Sequence, residues 1–430
     1  MSCQFPITSK SSVPPSDKPF GPIAAPSFRS ERYTRDLEPQ PLTRADLAGS
    51  SDASGAAQAL DSSLPTLGDG TCTIDLKELN AFALSGLPQM FNQEAQLFCR
   101  TLTRTETGVV QHGTSSQYTI LALLGLHRLA AAGVAVPIDI SATFELILKR
   151  ADWVKTIGDI GLMLWLSAVA CPQYLEQVVV KFNVRQALEH APDRNTMDLA
   201  LFLAGLAHHS GAEVGRLSDL TDQGVQAFHL LKGNQGEEGI FGHCARRKSV
   251  AGIIRGRIGS FVDQSYSIYA LSKAAQAYSL EQAATTALDC ALTICQAQGP
   301  LGQWWWHYDA LTGRVLGRYP IFSVHQAGTA PMALMELGKI LQSDFDPWIV
   351  KGLSWLCGEN ELAQDLRDPS AKVIWGCISQ DRLKKVLNTS VAYVLRREGS
   401  TSQENLAVRH ECRPYDHGML LYAFGSHGLQ

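Results

Sequence analysis

The residues in this sequence best suited to chemistry are carboxylates set at the heads of apolar runs. Asp159, Asp198 and Asp263 each open such a run, and Asp416 with His417 opens the last one. Two carboxylates facing one cavity are the minimum for cleaving a glycosidic bond, one as acid and the other as base or nucleophile. Crowding raises the pKa of at least one of them, which suits an acid. The same positions have a plainer explanation, because Asp is a common helix cap. Retaining and inverting geometries both stay open at this point.

A second group is aromatic. The run Gly302-Gln303-Trp304-Trp305-Trp306-His307-Tyr308-Asp309 precedes Thr312-Gly313-Arg314 and Arg318-Tyr319-Pro320. The faces of Trp304, Trp305, Trp306 and Tyr308 would stack on a sugar or an isoprenoid chain. Asp309, Arg318 and Tyr319 would orient a polar substituent. The competing reading of 303–320 is a β-hairpin turning at Ala310-Leu311-Thr312-Gly313, in which at least one tryptophan is structural. Just beyond, Ser323-Val324-His325-Gln326 heads another apolar run. His325 and His307 titrate near neutral pH and could move protons; a capping or core histidine is the alternative. Gln264, Gln326, Tyr415 and Asp416 are candidate substrate contacts. The segment from Phe241 through His243 and Cys244 to Arg246-Arg247-Lys248 could hold an anionic group or be a solvated loop. Arg413, near Glu411, and the Glu359-Asn360-Glu361 group fit ion-pair scaffolding, and Arg413 could also pair with a pocket acid.

Elements must bring these groups together, and from about residue 75 the periodicity is helical. Apolar helices start near Ser115, Thr156, Asn195, Val262, Ser323 and Pro414, each with polar residues at its head and small residues within. A helix apolar all round is surrounded by other helices. Amphipathic helices near Ile140, Tyr174, Leu220, Glu281 and Asp346 lie between them. The early inner helices recur at a step of about 40 residues, the sign of repeated helical hairpins. An open solenoid would leave the inner helices exposed on one side, so closure into a ring is expected.

Six apolar inner helices with polar tips, alternating with amphipathic ones, resemble the (α/α)6 toroids over residues 80–430. That superfamily includes six-hairpin glycosidases and, more distantly, sugar epimerases and terpenoid cyclases. The resemblance implies an all-α fold whose active-site funnel is built at one end of the ring. It implies a carbohydrate-active enzyme, a glycoside hydrolase or lyase, with Asp263, Asp198 and Asp159 as the acid/base pool. The alternatives are a sugar epimerase or terpenoid cyclase in the same ring, led by His325 and His307, or a non-catalytic binding protein. Fold-level likeness does not assign chemistry.

Composition sets the remaining bounds. Residues 1–70 hold nine of 19 prolines and few large apolar residues, so an extended arm, disordered or wrapped, is expected before a single domain over 71–430. The net charge of -4 argues against a general grip on nucleic acid. A small molecule or an oligosaccharide is the expected partner. The most apolar stretch, 120–137, carries His127 and Arg128 and is short for a span, so no membrane segment is expected. No secretory signal is read at the start, and ten irregularly spaced cysteines without a CxxC pair suit a reducing cytoplasm. No HExxH, GxGxxG, GxSxG or acidic cyclase motif occurs, so neither a metal nor a cofactor is expected.

Overall fold

The computed structural model describes residues 74–189, 195–213, 219–245, 256–380 and 405–426. The expected arm at 1–70 and the basic run at Arg246-Arg247-Lys248 lie outside them. Among the described residues, twelve principal helices alternate outer and inner along the chain. The outer helices are α1 (Leu76–Gly86), α3 (Ile140–Lys149), α5 (Leu175–Lys181), α7 (Thr221–Lys232), α9 (Glu281–Gln296) and α11 (Asp346–Leu356). The inner ones are α2 (Ser116–Ala131), α4 (Ile157–Ala170), α6 (Thr196–Gly211), α8 (Phe261–Ala277), α10 and α12 (Pro414–Phe424). Helix α10 starts with the π-helical segment His325–Thr329 and continues as Ala330–Leu341.

The inner helices close a ring. Helix α2 packs on α4, α4 on α6, α6 on α8, α8 on α10, α10 on α12 and α12 back on α2. Outer helix α1 packs on α12 and completes the outer layer. This is an (α/α)6 toroid. Small residues permit the close approach: a Cβ on Gly205 would collide with the Gly161 carbonyl, and one on Gly125 with the Gly418 carbonyl. The core is continuous through the ring, with Trp165, Trp304 and Trp355 fully buried.

Two features depart from the helical pattern. A hairpin of β2 (Leu97–Thr105) and β3 (Gly108–Thr114) precedes α2, joined by β1 (Phe91–Asn92) and β12 (Glu411–Cys412). The helix expected near Tyr174 is short and stops at Lys181, because Asn183 takes a left-handed conformation at φ 45°. The hairpin expected at 303–320 is present as β5 (His307–Asp309) and β6 (Val315–Gly317), with β4 (Ile258–Ser260) on its other edge. Gly313 at φ 67° makes its turn. A third sheet joins β7 (Ile321–Phe322), β10 (Cys377–Ser379) and β11 (Ala407–Arg409), and β8 (Arg367–Asp368) pairs with β9 (Val373–Ile374). No helix among the described residues is long and apolar enough to cross a membrane.

Candidate active site at the inner-helix tips

Three of the four carboxylates cap their helices. Asp159 Oδ2 accepts from the backbone N–H of Lys155 at 2.8 Å and of Thr156 at 3.0 Å. Asp263 Oδ2 accepts from the Ser260 N–H at 2.9 Å and its hydroxyl at 2.7 Å. Asp416 Oδ2 accepts from the Arg413 N–H at 2.9 Å. Each carboxylate thus sits within the first turn and satisfies the N–H of the residue just before the helix, the reciprocal half of a capping box. The second oxygen is left for other partners, and Asp159 Oδ1 takes Gln117 Nε2 from the neighbouring tip at 2.5 Å.

Asp198 is different. Its Oδ1 accepts from the Thr156 hydroxyl on α4 at 2.8 Å, and its Oδ2 faces Asn195 Nδ2 at 3.5 Å. Burial pushes its pKa up, against those two hydrogen bonds and the nearby charge of His243. His243 lies on the link between α7 and α8, with Nδ1 3.5 Å from Asp263 Oδ2 and the side chain 40% exposed. An imidazole therefore stands within electrostatic reach of carboxylates from two adjacent inner helices.

Aromatic rings continue the rim. Tyr118 and Tyr415 pack at 4.7 Å, and Tyr266 lies within electrostatic reach of both. Burial pushes Asp416 up to about 7, with the Arg413 guanidinium opposing. Trp306 is partly exposed and lies parallel to His325 at 5.8 Å, with Phe322 at 5.0 Å and His307 at 5.3 Å. His325 itself is buried among Phe261, Trp306 and Phe322. Burial lowers its pKa to about 3, and its Nδ1 has no hydrogen-bond partner. The imidazole is therefore neutral near pH 7. In this form it can accept or donate a hydrogen bond but carries no proton to spare as an acid. It sits in a π-helical turn, a feature frequent at functional sites.

Below the tips the bore is filled. Trp165 stacks on Tyr269 at 4.9 Å and on His208 at 5.3 Å, and Tyr422 meets it edge-on at 5.3 Å. The Tyr269 and Tyr422 hydroxyls bond at 2.6 Å, and Arg128 covers Tyr422 at 4.4 Å.

Several expected contacts stand away from the rim or are committed elsewhere. Trp304 and Tyr308 are fully buried, Trp305 nearly so. Asp309 is locked by Arg257 through Nε at 2.9 Å and Nη2 at 2.5 Å, which lowers its pKa against burial. Arg318 covers Trp305 at 4.9 Å. The Tyr319 hydroxyl donates to Glu361 at 2.9 Å. Gln264 binds the backbone of Phe241 on both sides, and Gln326 bridges Gly302 O and Trp304 N, with its amide oriented to suit them. For residues 304–319 the reason is common: this segment forms a β-hairpin whose side chains mostly face protein, whereas Gln264 and Gln326 sit on α8 and α10 and satisfy loop backbone. Only Trp306 and His307 of the aromatic run stay partly exposed. Gln117, Tyr118 and Thr156 are not among the sequence-derived candidates, and His243 is one only as part of a segment that could hold an anion. Tyr118 and Gln117 were findable at the head of α2; His243 is on a loop that no periodicity marks. Among the described residues, no three His, Cys, Asp or Glu side chains converge as metal ligands.

No family model matches the chain, and no curated protein matches it in sequence. Solved structures do match in shape. A possible member of the GH105 family from Klebsiella pneumoniae superposes with a TM-score of 0.54 at 12% identity, over 86% of this chain and 98% of that one. One from Salmonella enterica serovar Paratyphi A gives 0.52 at 12% identity, over 82% and 93%. The cellobiose 2-epimerase of Bacillus thermoamylovorans gives 0.52 at 8% identity, over 81% and 98%. These likenesses establish the toroid.

Proposed function

We propose that the chain is a carbohydrate-active enzyme, a glycoside hydrolase or lyase, working at the inner-helix tips. The observation that carries this reading is the pairing of unlike groups on adjacent helices: Asp198, held towards its protonated form by burial, and the His243–Asp263 pair. Asp198 is the acid that protonates the leaving oxygen. His243, oriented by Asp263, is the base that takes a proton from water or from a sugar carbon. Asp159, fixed by Gln117 and two backbone N–H groups, sets the charge beside Asp198. Tyr118, Tyr415 and Trp306 supply faces for a sugar ring. Two possible members of the GH105 family and a cellobiose 2-epimerase among structures of the same fold support this reading.

A sugar epimerase is the second reading, and the His243–Asp263 pair favours it, since epimerisation needs a base at carbon. The chain is read as one toroid from about residue 71, with residues 1–70 an appended arm. Eight buried free cysteines among the described residues suit a reducing compartment such as the cytoplasm.

The test is turnover of an oligosaccharide panel by the wild type, Asp198→Asn and His243→Ala. Bond cleavage that both substitutions abolish supports the hydrolase or lyase. Isomerisation without cleavage, lost in His243→Ala, moves the assignment to the epimerase. Activity retained by both folded variants would falsify the site.

A further inference from the structure

A pocket of about 220 Å³ opens beside the tip of α12, next to Asp416 and separate from Asp159, Asp198 and Asp263 in its lining. Strands β7, β10 and β11 and the start of α12 wall it, and Phe322, Ser379, Arg409, Glu411 and Arg413 face into it. We propose that this pocket binds the anionic substituent, a carboxylate or a phosphate, of a carbohydrate substrate. The proposal rests on the carbohydrate reading above and names the substrate class for that site.

Charge and geometry both support it. Among the described residues, two guanidinium groups and one carboxylate line the pocket, and Asp416 behind Arg413 is held towards its neutral form by burial, so the lining carries an excess positive charge. Arg413 meets Glu411 only loosely, at 3.8 Å. Among the described residues, Arg409 spends Nε on the Ser379 hydroxyl at 3.0 Å. A guanidinium has five N–H donors in a planar fork that matches carboxylate and phosphate oxygens. Among the described residues most of that capacity has no hydrogen-bond partner. Both arginines, with Asp416 and Glu411 opposing them, act on the Cys377 thiol, so they converge on one wall.

The arginines are also held in place. Arg409 sits on β11, paired in register with Cys377 of β10, and Arg413 is the residue that opens α12. Sites on regular elements keep their geometry better than sites on loops. Phe322 links the pocket to the rim: it lines the pocket and packs on Trp306. A sugar ring on Trp306 would direct its acidic arm past Phe322 and between the arginines. The volume agrees, since whole-ligand pockets run to roughly 300–1,000 Å³ and this one holds a substituent.

The experiment is calorimetric titration of the full chain with glucuronate, glucose 6-phosphate, glucose and inorganic phosphate, repeated on Arg409→Gln and Arg409→Lys. One acidic sugar should bind at least about tenfold tighter than glucose, a difference of ~1.4 kcal/mol. Arg409→Gln should erase that margin, and Arg409→Lys should restore part of it. The favoured sugar identifies the anion as carboxylate or phosphate. Equal binding of glucose and both acidic sugars overturns the pocket and leaves the carbohydrate reading intact. A folded Arg409→Gln that keeps the margin also overturns the pocket. Arg409-dependent binding of inorganic phosphate with no sugar bound keeps an anion pocket and overturns the carbohydrate substrate. No binding by any of the four overturns the proposal.

Discussion

Nδ1 of His243 lies 3.5 Å from Oδ2 of Asp263, the same oxygen that caps α8 through Ser260. One carboxylate thus fixes both a helix start and an imidazole. If the two act as a unit, their substitutions are not additive. His243→Ala should lower kcat by about 10²–10⁴-fold, the usual worth of a general base. Asp263→Asn should lower it less, and the double variant should be no slower than His243→Ala alone. Single-turnover rates on the three variants decide it; a multiplicative double loss breaks the pair.

Asp416 makes stability depend on pH. Burial raises it to about 7, whereas an unfolded Asp titrates near ~3.9. Between about pH 4 and 7 the native state keeps a proton that the unfolded chain has lost. Stability from this group therefore falls as pH rises through that window, by up to about 4 kcal/mol. Asp416→Asn keeps an oxygen for the Arg413 N–H and removes the titration. Between pH 5 and pH 8 the variant should lose less stability, or gain more, than wild type in urea melts, since His325 and His417 contribute alike to both; an identical change in the two would refute the raised value.

His325 works in the opposite direction. Its native pKa of about 3 is far below the unfolded ~6.5, so acid protonates the unfolded chain first and stability falls as pH drops below about 6.5. His325→Phe keeps the ring among Phe261, Trp306 and Phe322 and removes an unpartnered Nδ1. At pH 7 the variant should sit within about 1 kcal/mol of wild type. At pH 4.5 it should be the more stable by roughly 2–3 kcal/mol. His417 is the contrast, since burial holds it at about 4 but it bonds Ala83 O at 2.8 Å and Ile374 N at 3.1 Å. His417→Phe should therefore destabilise at pH 7, and a neutral result there would undo the comparison.

The ring was legible because its inner helices are apolar all round, as Leu121 to Leu126 and Leu162 to Leu166 are, and only neighbours on every side make that tolerable. The β2–β3 hairpin was not, because β3 is largely exposed and its residues carry no burial pattern. Tip carboxylates were found by position, but position alone could not say that Asp159, Asp263 and Asp416 cap while Asp198 reaches to Thr156. Trp304 and Trp306 look alike in the string; which one faces the rim depends on the pairing of β5 with β4 and β6, a long-range choice.

The close contact of α4 with α6 gives the sharpest stability test. Glycine inside a helix costs about 1 kcal/mol relative to alanine, so propensity alone makes Gly205→Ala stabilising. Packing says otherwise: a Cβ at Gly205 runs into the backbone of Gly161, and backbone cannot rotate away. Prying two inner helices apart should cost about 1–3 kcal/mol net, as overpacking does. Gly211, near the end of the same helix, has nothing within 4 Å of a new Cβ. There propensity acts unopposed, and Gly211→Ala should gain up to ~1 kcal/mol. Opposite signs in chemical denaturation for two identical substitutions on one helix would isolate the crossing as the cause. A gain in Gly205→Ala would mean that α4 and α6 do not meet at these glycines.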